Sequence, residues 1–435
     1  MKEISSFLIA APHSGSGKTT VTLGLLKALK NRGYKVQPFK CGPDYIDTKY
    51  HDLASGSKSI NLDLFLSSEK HVEDLYARYA SQSDVCITEG VMGLFDGYDK
   101  MKGSSAEIAE TLGLPVVLVV NAKSTAYSVA PLLYGFKNFY KGIHIIGLIF
   151  NFVGSENHYG FLKQACSDVG IKSFGYLPKR MDIEIPSRHL GLSLGKEYLF
   201  DDFANKAASV IEEHINLDEL LTSTQTCINI PVSQQTPQPG TTCPDVKIAV
   251  ASDDAFNFIY HENIACLKRI GCITFFSPLK EAHVPEVDLI YFPGGYPELF
   301  LEELSRNKEL HESIRDYAEK GGKILAECGG MMFLSSSITD KDGREYPMVE
   351  IFPHKASMQD MRLKLGYRQF EYNDLSIKGH EFHYSHTEND ENSIVQQYNA
   401  KNMPVDTKLW RYKNVIAGYT HIYWAEIDNL FDLFN

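Results

Sequence analysis

Two short stretches hold residue types that could do covalent chemistry. The first is "APHSGSGKTT" (11–20), which ends like a phosphate-binding loop. The usual pattern G-x-x-x-x-G-K-S/T wants a glycine where this chain has Pro12. Gly15 and Gly17 still let the backbone curl so that N–H groups from Ser14 to Thr20 face a phosphate, above all those just before Lys18. Lys18 would reach the β- and γ-phosphates of ATP, and the Thr19 hydroxyl would face Mg²⁺. Thus Ser14, Gly15, Ser16, Gly17, Lys18, Thr19 and Thr20 form the expected nucleotide contacts.

The second is "KILAECGGMMFL" (323–334), in which Cys328 sits where an apolar run meets Gly329 and Gly330. A nucleophile at a sharp strand-to-helix turn needs small neighbours, and the N–H of Gly329 can hold an oxyanion. Gly295 in "LIYFPGGYPE" (289–298) offers a second such N–H. The following helix is expected to lower the Cys328 pKa. A thiol nucleophile needs a base, and His421 in "GYTHIYWAE" (418–426) is the candidate. "KGHEFHYSH" (378–386) crowds three histidines, but strand-like alternation turns His383 away from His380 and His386, so a substrate-lining or structural strand is expected rather than a metal site.

A phosphate loop implies carboxylates at neighbouring strand ends to hold magnesium. "CGPDYIDTKYH" (41–51) offers Asp44 and Asp47, and "TEGVMGLFDG" (88–97) offers Glu89 and Asp96. Lys40, at a strand end on the same edge, could add positive charge to a transferred phosphoryl group.

Positioning these groups takes a particular scaffold. Apolar, β-branched runs at 4–11, 35–41, 84–90, 115–122 and 145–151 alternate with amphipathic stretches such as "TTVTLGLLKALKNRG". That alternation predicts an α/β doubly wound parallel sheet over 1–225. "NIPVSQQTPQPGTTCPD" (229–245) has no apolar period and reads as a linker, bounded at 226–245. Runs at 246–251, 288–295 and 323–330 start a second α/β domain over 246–435.

Composition narrows the function classes. The 435 residues carry a net charge of -12, which excludes a global electrostatic footprint for nucleic acid. An anionic substrate would need a local basic pocket. Eight scattered cysteines with no C-x-x-C pair fit a reducing, cytoplasmic setting rather than a disulfide framework. "FLIAA" runs straight into the glycine loop and reads as a strand, not a leader. No apolar run reaches the ~18 residues that span a bilayer, so no membrane role is expected.

Taken together, these motifs resemble the glutamine amidotransferases of corrin biosynthesis, the cobyrinate a,c-diamide synthase family. The resemblance covers nearly the whole chain and rests on "APHSGSGKTTVTLGLLKAL", "KCGPDYIDTKYH", "NLDLF", "TEGVMGLFDG", "GYLPKRMDIEIPSRHLGL", "FPGGYPELF", "AECGGMMFL", "GHEFHYSH" and "GYTHIYW". The family's loop also lacks the first glycine. The resemblance implies an N-terminal P-loop synthetase domain joined to a C-terminal class I-like glutaminase domain. It implies two amidations of a tetrapyrrole substrate, each through an acyl phosphate made with ATP, with ammonia drawn from L-glutamine through a Cys328 thioester. It puts Thr19, Asp47 and Glu89 at the magnesium positions, Asp44, Tyr45, Ile46 and Asp96 around the acyl phosphate, and Asn151 where a base-reading residue would sit. Arg188, in the basic loop 177–192, is the expected contact to the ring's carboxylates or to phosphate. One departure stands out: class I glutaminases carry His-x-Glu, and here the third position is Tyr423. A Cys328–His421 dyad is therefore expected, its orienting group left open.

Three other readings share some of these features. Nickel-sirohydrochlorin and hydrogenobyrinate are alternative acceptors for the same chemistry. A ParA-like or MinD-like nucleotide switch usually carries a second lysine early in the loop, where this chain has Pro12 and His13, and lacks a cysteine elbow. A catalytically dead glutaminase fold is disfavoured by the presence of both Cys328 and His421. The sequence leaves homo-oligomerisation open.

Overall fold

The apolar runs of the first half assemble into one sheet. In the computed structural model, which describes residues 2–183, 197–228, 245–389, 392–427 and 429–435, the strands are β1 (Lys2–Ala10), β2 (Val36–Cys41), β3 (Ile60–Leu62), β4 (Val85–Glu89), β5 (Val116–Asn121), β6 (Ile145–Val153), β7 (Lys172–Pro178) and β8 (Gln225–Ile228). Their order is β3-β2-β4-β1-β5-β6-β7, every neighbour parallel, with β8 antiparallel along β1. This is the expected doubly wound α/β sheet. Both faces are buried, which explains the continuous apolar runs. Leu8 and Ala10 enter the core on one face, and Phe7 and Ile9 enter the core on the other. The short β3 and the β7 strand add to the five runs legible in sequence.

Chain order reverses beside β1: β2, β3 and β4 lie to one side of it, β5 to β7 to the other. Ligand sites in open α/β sheets form at the carboxyl ends of strands at such a switch point. The phosphate loop follows β1 there and leads into helix α1 (Lys18–Asn31). Helix α2 (Asp47–Ser55) begins just beyond the end of β2.

The chain divides into two compact units, Met1–Leu64 with Ser68–Thr236 and Phe65–Ser67 with Pro237–Asn435. The expected linker falls almost wholly in 229–244, outside the described residues. In the second unit the strands bearing on the site are β9 (Lys247–Ala251), β10 (Phe256–Phe258), β11 (Cys272–Phe276), β12 (Leu289–Phe292), β13 (Gly294–Gly295), β14 (Lys323–Glu327), β15 (Lys364–Tyr372), β16 (Leu375–His383), β17 (Leu409–Tyr412), β18 (Val415–Gly418) and β19 (His421–Ile422). A six-stranded sheet runs β11-β9-β12-β14-β18-β17, parallel except for the β17 edge. The run expected as one strand over 288–295 is split. Pro293 separates β12 from β13, and β13 pairs antiparallel with β10 instead.

Beside this sheet, β15 and β16 form a hairpin, and β16 pairs with β19. Its turn residues Asn373 and Asp374 both have positive φ, 49° and 59°, the backbone that a tight hairpin with right-handed twist requires. Among the described residues no helix is long and apolar enough to cross a membrane.

Candidate active sites

The phosphate loop is shaped by one left-handed residue at the helix start. Gly17 caps α1 with φ 87°, and a Cβ there would overlap the Asn151 amide. Asn151 sits within β6 and donates through Nδ2 to the Ser16 carbonyl at 3.1 Å, while its Oδ1 accepts the Phe152 N–H. Its amide thus braces the loop. The Ser16 hydroxyl donates to the His13 carbonyl at 2.9 Å. Lys18 Nζ donates to the Met92 carbonyl at 2.5 Å.

Four chemistry-bearing side chains converge beside the loop. Lys40 and Glu89 lie directly opposite each other in the parallel β2–β4 register. Lys40 Nζ meets Asp47 Oδ2 at 2.6 Å, Glu89 Oε1 at 3.0 Å and Asp44 Oδ2 at 3.7 Å. Thr19 Oγ1 donates to Glu89 Oε1 at 2.7 Å and lies 3.4 Å from Asp47 Oδ2. Thr19, Lys40, Asp47 and Glu89 are all buried. Burial alone would lower the Lys40 pKa, yet Asp47, Glu89 and Asp44 together raise it above its ordinary value. Burial likewise opposes the Glu89 carboxylate, and Lys40, His51 and Thr19 overcome it and hold its pKa far below the usual range. The Asp44 carboxylate is held low, against burial, by Lys40 and by the N–H groups of Asp47 and Ile46.

Sequence reasoning passed over His51. It is fully buried one turn after Asp47, with Nε2 2.7 Å from Glu89 Oε2 and Nδ1 3.1 Å from Ser59 Oγ. An imidazole protonated on Nε2 donates to Glu89 and accepts the Ser59 hydroxyl. This fixes the carboxylate with Oε1 turned to Thr19. The signal available in sequence was the i, i+4 spacing of Asp47 and His51, which puts both on one helix face.

Hard oxygen donors from Thr19, Asp47 and Glu89 gathered around an ammonium make a set that fits a magnesium ion. Asp96 is exposed, its Oδ2 accepting the Gly93 N–H at 3.0 Å. Arg188 lies outside the described residues.

The second site is built on a strained turn. Cys328 follows β14 and caps the short helix Gly329–Leu334 with φ 47° and ψ -106°. A side-chain-bearing residue at positive φ costs about 1–3 kcal/mol, and such outliers gather at functional positions. The Cys328 N–H is tied to the Gly418 carbonyl at 2.7 Å. Gly329 has no room for a side chain: a Cβ would come within 3.0 Å of the Gly295 N. The two glycines expected to bind an oxyanion therefore lie against each other.

His421 approaches from the neighbouring strand. β14 and β18 are paired with Glu327 opposite Gly418; Cys328 comes just after the end of β14, and His421 opens β19 three residues beyond the end of β18. The Ile422 N–H donates to Glu327 Oε1 at 3.1 Å, and Tyr291 donates to Glu327 Oε2 at 2.7 Å. So the neighbours of Cys328 and His421 are bonded to each other.

One expectation is overturned here. The helix start was expected to lower the Cys328 pKa. Burial and the nearby Glu298 carboxylate push it up instead, and the Gly329 N–H offsets only part of that. Burial, reinforced by His380 and His383, lowers the His421 pKa to about 3. Burial also raises Glu327 to about 8. Both shifts favour the neutral forms of the thiol and the imidazole.

In the histidine-rich strand β16, His380 lies opposite His421 in register, their rings 6.5 Å apart. His383 stacks on Tyr419 at 3.6 Å and is hydrogen-bonded to Glu381, which also takes Arg368 and Thr407. The Tyr423 ring packs edge-on against Tyr260.

Comparison with known proteins fits this two-part layout. Residues 7–192 match the CobQ/CobB/MinD/ParA nucleotide binding domain, and 247–428 match the CobB/CobQ-like glutamine amidotransferase domain. A cobyrinate a,c-diamide synthase of Caldanaerobacter subterraneus is 40% identical, across 96% of this chain and 94% of its own length. One from Listeria innocua is 38% identical, across 97% of both chains. A hydrogenobyrinate a,c-diamide synthase of Brucella abortus is 41% identical, across 91% of both.

Proposed function

The chain belongs to the cobyrinate a,c-diamide synthase family, a ligase family of cobalamin biosynthesis, and from that premise we propose that it amidates the a and c acetate carboxylates of cobyrinic acid with ATP and glutamine. A carboxylate does not react with ammonia because oxide is a poor leaving group. Transfer of the γ-phosphoryl of ATP to a carboxylate oxygen gives an acyl phosphate and ADP. Ammonia then attacks the acyl carbon, and phosphate leaves with the C–O bond.

The residues divide this work between the two units. Loop N–H groups from Ser14 to Thr20 and the Lys18 ammonium hold the nucleotide phosphates. Thr19, Asp47 and Glu89 would hold a magnesium ion, whose charge offsets that of the phosphates. Lys40 neutralises the transferred phosphoryl group, and Asp44 and Asp96 shape its surroundings. Arg188 meets the carboxylates of the macrocycle. In the second unit the Cys328 sulfur attacks the glutamine amide carbon while the Gly295 and Gly329 N–H groups hold the oxyanion. His421 takes the thiol proton and passes it to the departing ammonia, and water then releases glutamate from the thioester.

What carries the reading is the presence on one chain of a buried Thr19–Lys40–Asp47–Glu89 cluster and a strained Cys328 elbow. A nucleotide switch has no use for the second. A second acceptor, hydrogenobyrinate, is favoured by the 41% identity to a relative of that name. Free thiols at Cys41, Cys86, Cys166, Cys227, Cys266 and Cys328 suit a cytoplasmic enzyme, whereas Cys272 is disulfide-bonded, against the expectation from the cysteine spacing.

The test is mass spectrometry of the acceptor after incubation with ATP, Mg²⁺ and glutamine. Two successive exchanges of OH for NH₂ on cobyrinic acid are expected. Amidation of hydrogenobyrinate or nickel-sirohydrochlorin alone would keep the chemistry and change the acceptor. ATP hydrolysis with no amidation of any acceptor would overturn the reading.

A further inference from the structure

The buried acids at the heart of the two sites are held by neighbouring side chains, and the half-buried Glu298 beside the second site is not. Glu89 is held by Lys40, His51 and Thr19, Glu381 by Arg368, His383 and Thr407, and Glu327 by Tyr291 and the Ile422 N–H. Among the described residues no other side chain hydrogen-bonds to Glu298 or forms an ion pair with it, and only its own N–H supports its carboxyl. Burial pushes that carboxyl up to about 7. Leaving a desolvated carboxylate without a cation is costly, so its place in the fold calls for an explanation.

That place is the cysteine site. Glu298 sits in the turn Pro297–Leu299 that follows β13. The β13 loop packs against His421 and against Gly329, the residue after Cys328. A Cβ on Gly294 would overlap the His421 ring, and one on Gly329 would lie 2.8 Å from Pro297 Cδ. The charge of Glu298 bears on the Cys328 thiol and on Tyr419. The groups acting on the His421 ring are His380, His383 and Glu381, and Glu298 is not among them.

Glutamine brings the absent cation. Its α-ammonium stands four covalent bonds, about 5 Å, from the amide carbon that Cys328 attacks. We propose that the Glu298 carboxylate receives the α-ammonium group of glutamine and so selects an α-amino acid over a plain amide. The inference rests on reading the second unit as a glutaminase. It assigns Glu298 to recognition of the non-reacting end of the substrate, not to bond breaking.

The experiment compares glutamine with glutaramate, the same amide without the α-amino group, on the full chain and on Glu298→Gln. A charge-assisted hydrogen bond lost at this position should raise the glutamine KM by about 10- to 100-fold. The glutaramate KM should stay where it is, so the preference between the two substrates collapses. Unchanged turnover of glutaramate, which uses the same cysteine, reports that the second unit of the variant has folded. If it has not, Glu298→Asp takes its place: the charge is kept but withdrawn by one methylene, and the preference should fall part of the way. A variant that discriminates as well as the parent overturns the inference alone. So does an equal loss of kcat on both substrates, which would mark an acid acting at the amide. A parent chain inert to glutamine and to glutaramate, yet active with ammonium, overturns the glutaminase reading and the inference with it.

Discussion

The two sites solve opposite electrostatic problems. Around the phosphate loop, buried groups of opposite sign are packed together, so Lys40 is held charged and the Glu89 and Asp44 carboxylates stay ionised despite burial. Around Cys328, burial wins: the thiol and Glu327 are pushed up and His421 down, and each is left in its neutral form near pH 7. On the proposed reading, the first site is a cage for phosphate and cation. The second withholds charge until a substrate arrives. A ligand of fixed charge suits the former, and a neutral amide attacked by a thiol suits the latter.

The largest expected effect separates the two sites outright. Cys328→Ala should abolish glutamine-dependent amidation, on the order of 10⁴-fold or more, because the nucleophile is gone. Ammonium-dependent amidation should persist, measured as product formed at saturating ATP. Loss of both activities would mean that the cysteine unit does more than supply ammonia.

Lys40→Met tests the charged cage. Removing one partner leaves Asp47 and Glu89 facing each other in the interior, which should destabilise the first unit by about 3–5 kcal/mol. Magnesium should recover part of that loss, and raise the melting temperature of the variant more than that of the parent, since a divalent ion can replace the ammonium between the carboxylates. Calorimetry with and without Mg²⁺ reads both effects. Equal shifts in the two proteins would show that the carboxylates do not gather around a cation.

His51→Ala should act on the same cage from one bond further out. Without the Nε2 donor, Glu89 Oε2 loses its partner and the carboxylate can rotate. Metal-dependent nucleotide binding should weaken by about 10- to 100-fold, the usual cost of losing an outer partner of a metal ligand. A fluorescent nucleotide titrated at several Mg²⁺ concentrations distinguishes this from a general loss of nucleotide affinity.

How much of this was legible beforehand follows from how local each feature is. The loop around Lys18 and the elbow at Cys328 are contiguous stretches, so their residues can be named from the chain alone. The parallel sheet was legible because both its faces are buried, which prints long β-branched runs. β3, three residues long, is too short to show a period. The His51–Glu89 bond joins residues 38 apart, and no local pattern announces it. The Cys328 pKa was misjudged for a related reason. A helix start is visible in sequence, whereas desolvation and the nearness of Glu298 arise only when distant strands pack.

The smallest effect concerns pH and sharpens the contrast between the sites. A carboxylate held low, like Glu89, contributes stability above its ordinary range that is lost only as pH falls through that range. Lys40, held high, contributes stability below its ordinary value of 10.5 that is lost only as pH rises beyond it. The first unit should therefore keep its stability across the neutral range. In the second unit, His421 drops from 6.5 to about 3, so the unfolded chain takes up a proton that the native state refuses, and stability falls as pH falls through that window. Glu327 rises from 4.5 to about 8, so the native state keeps a proton that the unfolded chain gives up, and stability falls as pH rises through that second window. Between 4.5 and 6.5 the two slopes oppose each other, and from 6.5 to 8 only the decline remains. Hydrogen exchange resolved by unit, followed from pH 5 to pH 8 with the usual correction for intrinsic rates, should show protection falling in the second unit by roughly 1–2 kcal/mol while the first stays level. Glu327→Gln, neutral at every pH, should flatten the upper decline and leave His421 and His311, the latter lowered by burial to about 4, to set the lower one. If the decline survives that substitution, Glu298 is the other acid whose raised carboxyl would produce it.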